Sequence, residues 1–248
     1  KETLLWALNG NDGKQPWSKI VDNLIASKLL LYRKHSKDVS VWHGTDLDLR
    51  GRLEDLSTLH RNDFDLVDFL ETEAQAEAWK PVEYNTRIGT NRYWIGDYYL
   101  ASDINEQTTE ELLNSIQPGT DGKIVYFIAE NSNELNTALQ FAQSGLNSKQ
   151  LLFAVPSIPL DIRNAALEVW CLSQMEHDPD LTGEDPLVLP EIKQMLDDSR
   201  MYLQNVLDQL INPSSSKGPH WIYINDILDI KSVSDLRRLL SKIAFDIF

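Results

Sequence analysis

Apolar and polar positions recur along this chain with two periods, and each period predicts a different kind of element. ETLLWALN reads as a short helix closed at Gly10, with NDGKQ as a loop. Pro16 and Trp17 open a second helix, WSKIVDNLIAS, in which Ile20, Leu24 and Ile25 recur at helical spacing. LLLYRK and VSVWH are strand-like runs joined by the small and charged HSKD, which predicts a β-hairpin. Two helical stretches follow, at 46–59 and 64–79, the second stopped by Pro81. TRIGTNRYWIGDYYLA is rich in aromatic and β-branched residues and predicts strands about a tight turn at Gly89-Thr90-Asn91.

From Lys123 the pattern changes to buried strands separated by helices. KIVYFIAE and LLFAVPS are apolar runs, and NELNTALQFAQS and DIRNAALEVWCLSQM are helical. Strand, helix, strand, helix at this spacing implies a βαβ unit with parallel strands. An acidic loop, EHDPDLTGEDP, precedes a long helix at 190–210. A polar loop, NPSSSKGP, then leads to a short strand, WIYIN, and a closing amphipathic helix, SVSDLRRLLSKIAFDIF. At the other end of the chain, helix, loop, helix and hairpin make the closing part of a winged-helix module, a relative of the readers that set a second helix in the DNA major groove. The expected fold is mixed α/β: a partial winged-helix module at 1–53, a helical and β-hairpin connector at 54–122, and a small α/β domain with a parallel sheet and long C-terminal helices at 123–248.

Charge divides the chain unevenly. The net charge is −15, yet residues 1–53 hold nine Lys/Arg against six Asp/Glu. Phosphates are repelled by the acidic remainder, so only the first segment is expected to approach nucleic acid. There, Lys19, Lys28, Arg33, Lys34, His35 and Lys37 are the candidates for phosphate contact from a recognition helix and wing, diluted by Asp12, Asp22 and Asp38. The single cysteine, Cys171, rules out an internal disulfide and fits a reducing cytoplasm. No signal peptide and no apolar run of spanning length is visible. A start at Lys1 and an end inside an apolar run suggest a piece of a longer protein.

Candidate chemistry is sparse. Gly13-Lys14 and Gly122-Lys123 lack both the Ser/Thr and the upstream glycine of a phosphate-binding loop. Ser132 and Ser157 lie at the carboxyl ends of the predicted parallel strands, without a nucleophile-elbow context. Asp178, Asp180, Thr182 and Gly183 imitate the start of a calcium loop, but its twelfth position is Leu189. Arg87, Arg92, Tyr93, Trp94, Tyr98 and Tyr99 could stack bases, and alternation on strands makes them better core residues. His43, Asp46 and Asp48 suggest a metal site, but local geometry suffices for another reading: Thr45 caps a helix and Asp48 completes the box three residues on. No metal ligand set and no catalytic residue is expected.

The order of LLLYRK, VWHGTDLDLRGRL, RIGTNRYW, KIVYFIAE, LLFAVPS and LRRLLSKIAFDIF resembles the middle of the large bacterial P-loop ATPases of phage-defence and DNA-modification islands, of the BREX type and its relatives. The resemblance spans nearly the whole chain. It implies that an ATPase core precedes this segment and that ATP and magnesium bind there, with no cofactor in this chain. It also implies a non-catalytic regulatory or scaffold role, coupling that core to the protein partners of a defence complex or to DNA; the lack of a spanning apolar run predicts no membrane partner. The other class of function is a free-standing winged-helix DNA-binding regulator whose acidic remainder is a sensor or oligomerisation domain.

Overall fold

Trp17–Ala26 forms α1, with Val21 as its buried position. The structure is a computed structural model that describes residues 4–5, 17–27, 29–32, 39–41, 47–144, 148–183 and 185–247. β1 (Leu30–Tyr32) and β2 (Val39–Val41) pair antiparallel, Leu30 opposite Val41. α2 (Leu49–His60) begins at Asp48, whose carboxylate accepts the Gly51 N–H. α3 (Leu66–Glu73) begins the same way, with Asp65 accepting the Asp68 N–H, and buries Leu66, Phe69 and Leu70. α4 (Val82–Ile88) follows Pro81 and stops at Gly89, which takes a φ of 75° that other residues rarely adopt. β3 (Trp94–Leu100) runs through a single 3-10 turn (Ala101–Asp103) to α5 (Thr108–Asn114). β4 (Gly122–Ile128), α6 (Ser132–Gln143), β5 (Leu151–Val155) and α7 (Ile162–Glu176) come next. α8 (Pro179–Thr182), α9 (Val188–Ile211), the strands β6 (His220–Tyr223) and β7 (Asp226–Leu228), and α10 (Val233–Ile247) complete the order.

These elements divide into two units. The first comprises residues 1–62 and 168–202, and the second 63–167 and 203–248, so one boundary falls between α2 and α3 and the other two inside α7 and α9. In the first unit α2 meets the 168–176 part of α7. The His60 ring lies edge-on to Trp170 at 4.8 Å, and the Ser57 hydroxyl donates to Cys171 Sγ at 3.7 Å. Glu168 accepts the hydroxyl of the buried Ser199 at 2.8 Å, which ties that part of α7 to α9. Asp178 begins α8 by accepting the N–H groups of Asp180 and Leu181.

The second unit is built on one sheet, ordered β3-β4-β5-β6-β7. β3, β4 and β5 are parallel, and β6 and β7 add an antiparallel hairpin at one edge. β4 and β5 are buried along their whole length, which explains why their sequences are unbroken apolar runs. On one face Val125, Phe127 and Phe153 pack with Leu112 of α5 and Ala138 and Ala142 of α6. The Phe127 and Phe153 rings stack at 5.7 Å, and Phe141 sits edge-on to both. The alternate residues on β4 and β6 pair differently: Tyr126 meets Tyr98 and Trp221, and its hydroxyl accepts the Trp79 indole N–H at 3.0 Å. Gly96 leaves room for this arrangement, since a Cβ there would lie 2.8 Å from the Tyr126 ring and 2.9 Å from Ala76.

Several expectations meet a different structure. The run around Gly89 is a helix and one strand, not two strands about a turn: Gly89 is the cap of α4, and Asn85 holds the Arg92 backbone through both its amide atoms. β3 belongs to the same sheet as β4, and the hairpin partner β7 supplements the expected parallel sheet. The expected helix at 64–79 ends at Glu73, and Trp79 instead exchanges two backbone hydrogen bonds with Trp94. In the amino-terminal segment α1 and the β1–β2 pair are present, while residues 33–38 between the strands lie outside the described set.

Candidate functional site

Ligands in open α/β sheets usually bind at the carboxyl ends of parallel strands, where neighbouring connections turn to opposite faces and leave a crevice. Here consecutive strands are neighbours, and α5 and α6 both pack on the face of Val125 and Phe127. No such change of face opens a crevice between β3, β4 and β5. Several polar groups at those ends are also engaged. Asn131 accepts the N–H groups of Asn133 and Glu134, and Glu134 returns a bond to the Glu130 N–H, a reciprocal cap on α6. Glu130 is paired with Arg163 at 3.0 Å, and Arg163 also donates to Phe64 O. Ser132 is the first residue of α6, and the Ser157 hydroxyl donates to Lys217 O at 3.1 Å.

Buried charge is concentrated at the opposite end of β4. Lys123 is buried and holds Asp97 across the β3–β4 pair, with Ser115 Oγ at 2.7 Å. Arg92 Nε donates to the buried Asp121 at 2.7 Å. The first joins the start of β4 to the middle of β3 and the second joins the residues just ahead of the two strands, so both pin β3 to β4.

Two surface features remain in the second unit. An open groove of about 490 Å³ lies beside the β6–β7 hairpin, lined by residues including Pro213, Ser216, His220, Ile227 and Lys231. β7 is three residues long, begins with Asp226 and is followed by Asp229 and Lys231, the usual guard of an unpaired sheet edge. The other feature is the seam of α4 and α10. Ser241 accepts the Glu83 N–H at 3.2 Å, Phe245 meets Tyr84 edge-on at 4.8 Å, and the Arg87 guanidinium lies 5.4 Å from the Phe245 ring centre.

No family model, curated protein or solved structure matches this chain.

Of the residues singled out in the sequence, Lys19 is exposed on α1. Lys28, Arg33, Lys34, His35, Lys37, His43, Thr45 and Asp46 lie outside the described residues. Asp48 is itself the cap of α2, rather than the third residue of a box begun by Thr45. Asp178 is likewise a helix cap, which gives the calcium-like run a structural account. Among the aromatics, Trp94 and Tyr98 are core, and the Tyr99 hydroxyl bonds Thr108 and Glu111. Sequence reading missed the seam. Its signal was present in α10, where Arg238, Lys242 and Phe245 recur at i, i+4 and i+7 beside an apolar face. No described helix is long and apolar enough to cross a membrane.

Proposed function

We propose that this chain is a non-catalytic regulatory or scaffold segment of a large NTP-driven machine of bacterial defence or DNA transactions. It couples an ATPase core encoded upstream to partner proteins or DNA in the cytoplasm, and ATP and magnesium bind that core. The observation that carries this reading is the engagement of the strand ends. Asn131, Glu134, Glu130, Arg163 and Ser157 at the usual ligand-binding edge are spent on caps and ties within the fold. A module whose polar groups serve its own architecture suits transmission of a conformational change better than chemistry. The test is the gene: a GxxxxGK[ST] loop is expected upstream of Lys1 in the same reading frame, and a reading frame without one overturns the proposal. In the protein carrying that loop, deletion of residues 63–248 should leave nucleotide binding intact and abolish stimulation of turnover by partners.

A second reading rests on α1 followed by the antiparallel β1–β2 pair with Lys19 exposed on α1. In it the chain is a winged-helix DNA-binding regulator, and Lys28, Arg33, Lys34 and Lys37 join Lys19 on phosphates. Binding to duplex DNA that weakens steeply with salt and falls in a Lys19→Glu variant supports this reading. Absence of binding at low salt removes it.

A further inference from the structure

We infer that the seam between α4 and α10 is a docking surface for an acidic amphipathic helix of a partner protein. The inference rests on the protein-contact part of the reading above and adds the place and chemistry of the contact.

The seam has a fixed frame. The Glu83 N–H bonds Ser241 at one end, and Tyr84 and Arg87 meet Phe245 further along, so the two helices run side by side in the same direction. Apolar groups are left in solvent along this frame: Val82 is 46% exposed, Ile88 56% and Phe245 38%. Single exposed apolar residues are ordinary. Three occur on one pair of packed helices, and one of them is an aromatic ring with an arginine over it, the residue pairing that arginine and aromatic hot spots at interfaces use.

Charge decides the occupant. Exposed Arg238 and Lys242 lie on α10 about two turns and one turn before Phe245, and Arg87 lies over the Phe245 ring from α4. Among the described residues no carboxylate lies within ion-pairing distance of Arg87 or Lys242, and Arg238 has only Asp235 on its own helix at 3.6 Å. Glu83, Asp235 and Asp246 are the acidic groups of the two helices. With Arg237 the two helices carry four cations against three carboxylates on a chain of net charge −15, an excess of positive charge that complements an acidic partner. A duplex carries a phosphate charge about every 1.7 Å and would press many of them against the surrounding carboxylates, with no apolar surface for Val82, Ile88 and Phe245. A helix about 10–12 Å wide covers the seam alone, with leucine-type side chains on the apolar groups and carboxylates on the cations.

The test uses the full chain and two labelled probes in fluorescence anisotropy: an amphipathic Leu/Glu helical peptide and its Leu/Lys counterpart. The Leu/Glu peptide should bind in a salt-sensitive manner, and the Leu/Lys peptide should not. Lys242→Glu, which alters an exposed side chain and leaves the packing of Phe245 in place, should weaken binding about tenfold, and Arg87→Glu with Lys242→Glu further still. Phe245→Ala should also weaken it, provided its melting curve shows a folded protein. Equal binding of both peptides, no binding of the Leu/Glu peptide, or unchanged binding by the charge-reversed variants overturns the inference. Duplex DNA that binds the chain and is lost in the same variants replaces it with a nucleic-acid surface. A failed seam leaves the upstream phosphate-binding loop as the separate test of the scaffold reading.

Discussion

Lys123 and Asp97 form the most informative pair of side chains in the sheet, because their surroundings are unequal. The Lys123 side chain is only 6% exposed, while that of Asp97 is 33% exposed. Removal of a partner from a buried ion pair is costly when the charge left behind cannot reach water. Asp97→Ala leaves the ammonium with Ser115 as its remaining partner and should cost about 3 kcal/mol in urea denaturation at neutral pH. Lys123→Met leaves a carboxylate that water can reach and should cost about 1 kcal/mol or less. Equal losses in the two variants would show that packing, not charge, governs the position. Asp48 offers a simpler case. Its carboxylate satisfies one N–H at the start of α2, so Asp48→Ala should lower stability by about 1 kcal/mol, read from the same denaturation curves. The sequence pointed to a cap in this stretch but put it at Thr45. HGTDLD contains several residues able to cap, and only the placement of the first helical turn, at Leu49, selects among them.

The elements differ in how openly the sequence announced them. β4, β5, α6 and α10 were legible because burial on both faces of a strand, or on one face of a helix, imposes a period on the residues. α4 was not. Val82, Tyr84 and Ile88 have the composition of a strand, and the helix is set by Pro81 ahead of it, the left-handed Gly89 behind it and the contact of Tyr84 with Phe245. A partner more than 150 residues away in sequence is invisible to local pattern, and propensity yields to it. β7 was missed for a related reason: three residues are too few to show alternation. Its hairpin also breaks a local rule. Tyr223 and Asp226 flank the two-residue turn Ile224-Asn225, in which both residues have positive φ, 46° and 70°. Asn tolerates this region, but a β-branched residue is strained in it. Ile224→Asn should therefore stabilise the chain by about 1 kcal/mol, with the melting temperature as the readout. A loss of stability would mean that the half-buried isoleucine contributes more by packing than its backbone costs.

For the chain as a whole, sequence order concealed how it is partitioned. Two of the three crossings between the units fall inside continuous helices, where no composition change or linker marks them. Charge was legible throughout, and it leads to a measurable asymmetry in the pH response. A net −15 at pH 7 deepens above about pH 10, as lysines and tyrosines lose protons, so single variants are needed to separate this general repulsion from buried groups that report on alkaline unfolding. Two tyrosines in the sheet are placed to do so. Burial pushes the Tyr98 hydroxyl up to about 12, from an ordinary value of 10.0. Burial raises Tyr126 as well, opposed by the indole N–H of Trp79 that its hydroxyl accepts. In the unfolded chain both would lose their protons near pH 10. Between the unfolded and folded values the unfolded state holds fewer protons, so stability falls as pH rises. The stabilisation from Tyr98 is fully present below about pH 10 and is lost by about pH 12, a change on the order of 2–3 kcal/mol. Denaturation midpoints should hold steady from pH 8 to about 9.5 and then drop. Tyr98→Phe loses the hydroxyl bond to Ala74 O, at a cost of about 1 kcal/mol at neutral pH, yet should show a shallower decline above pH 10. Tyr126→Phe should flatten the decline further, because the sheet would then bury one fewer group that must stay protonated. An alkaline decline equally steep in both variants would place its origin in the general acidic repulsion, and the two tyrosines would be no more than packing.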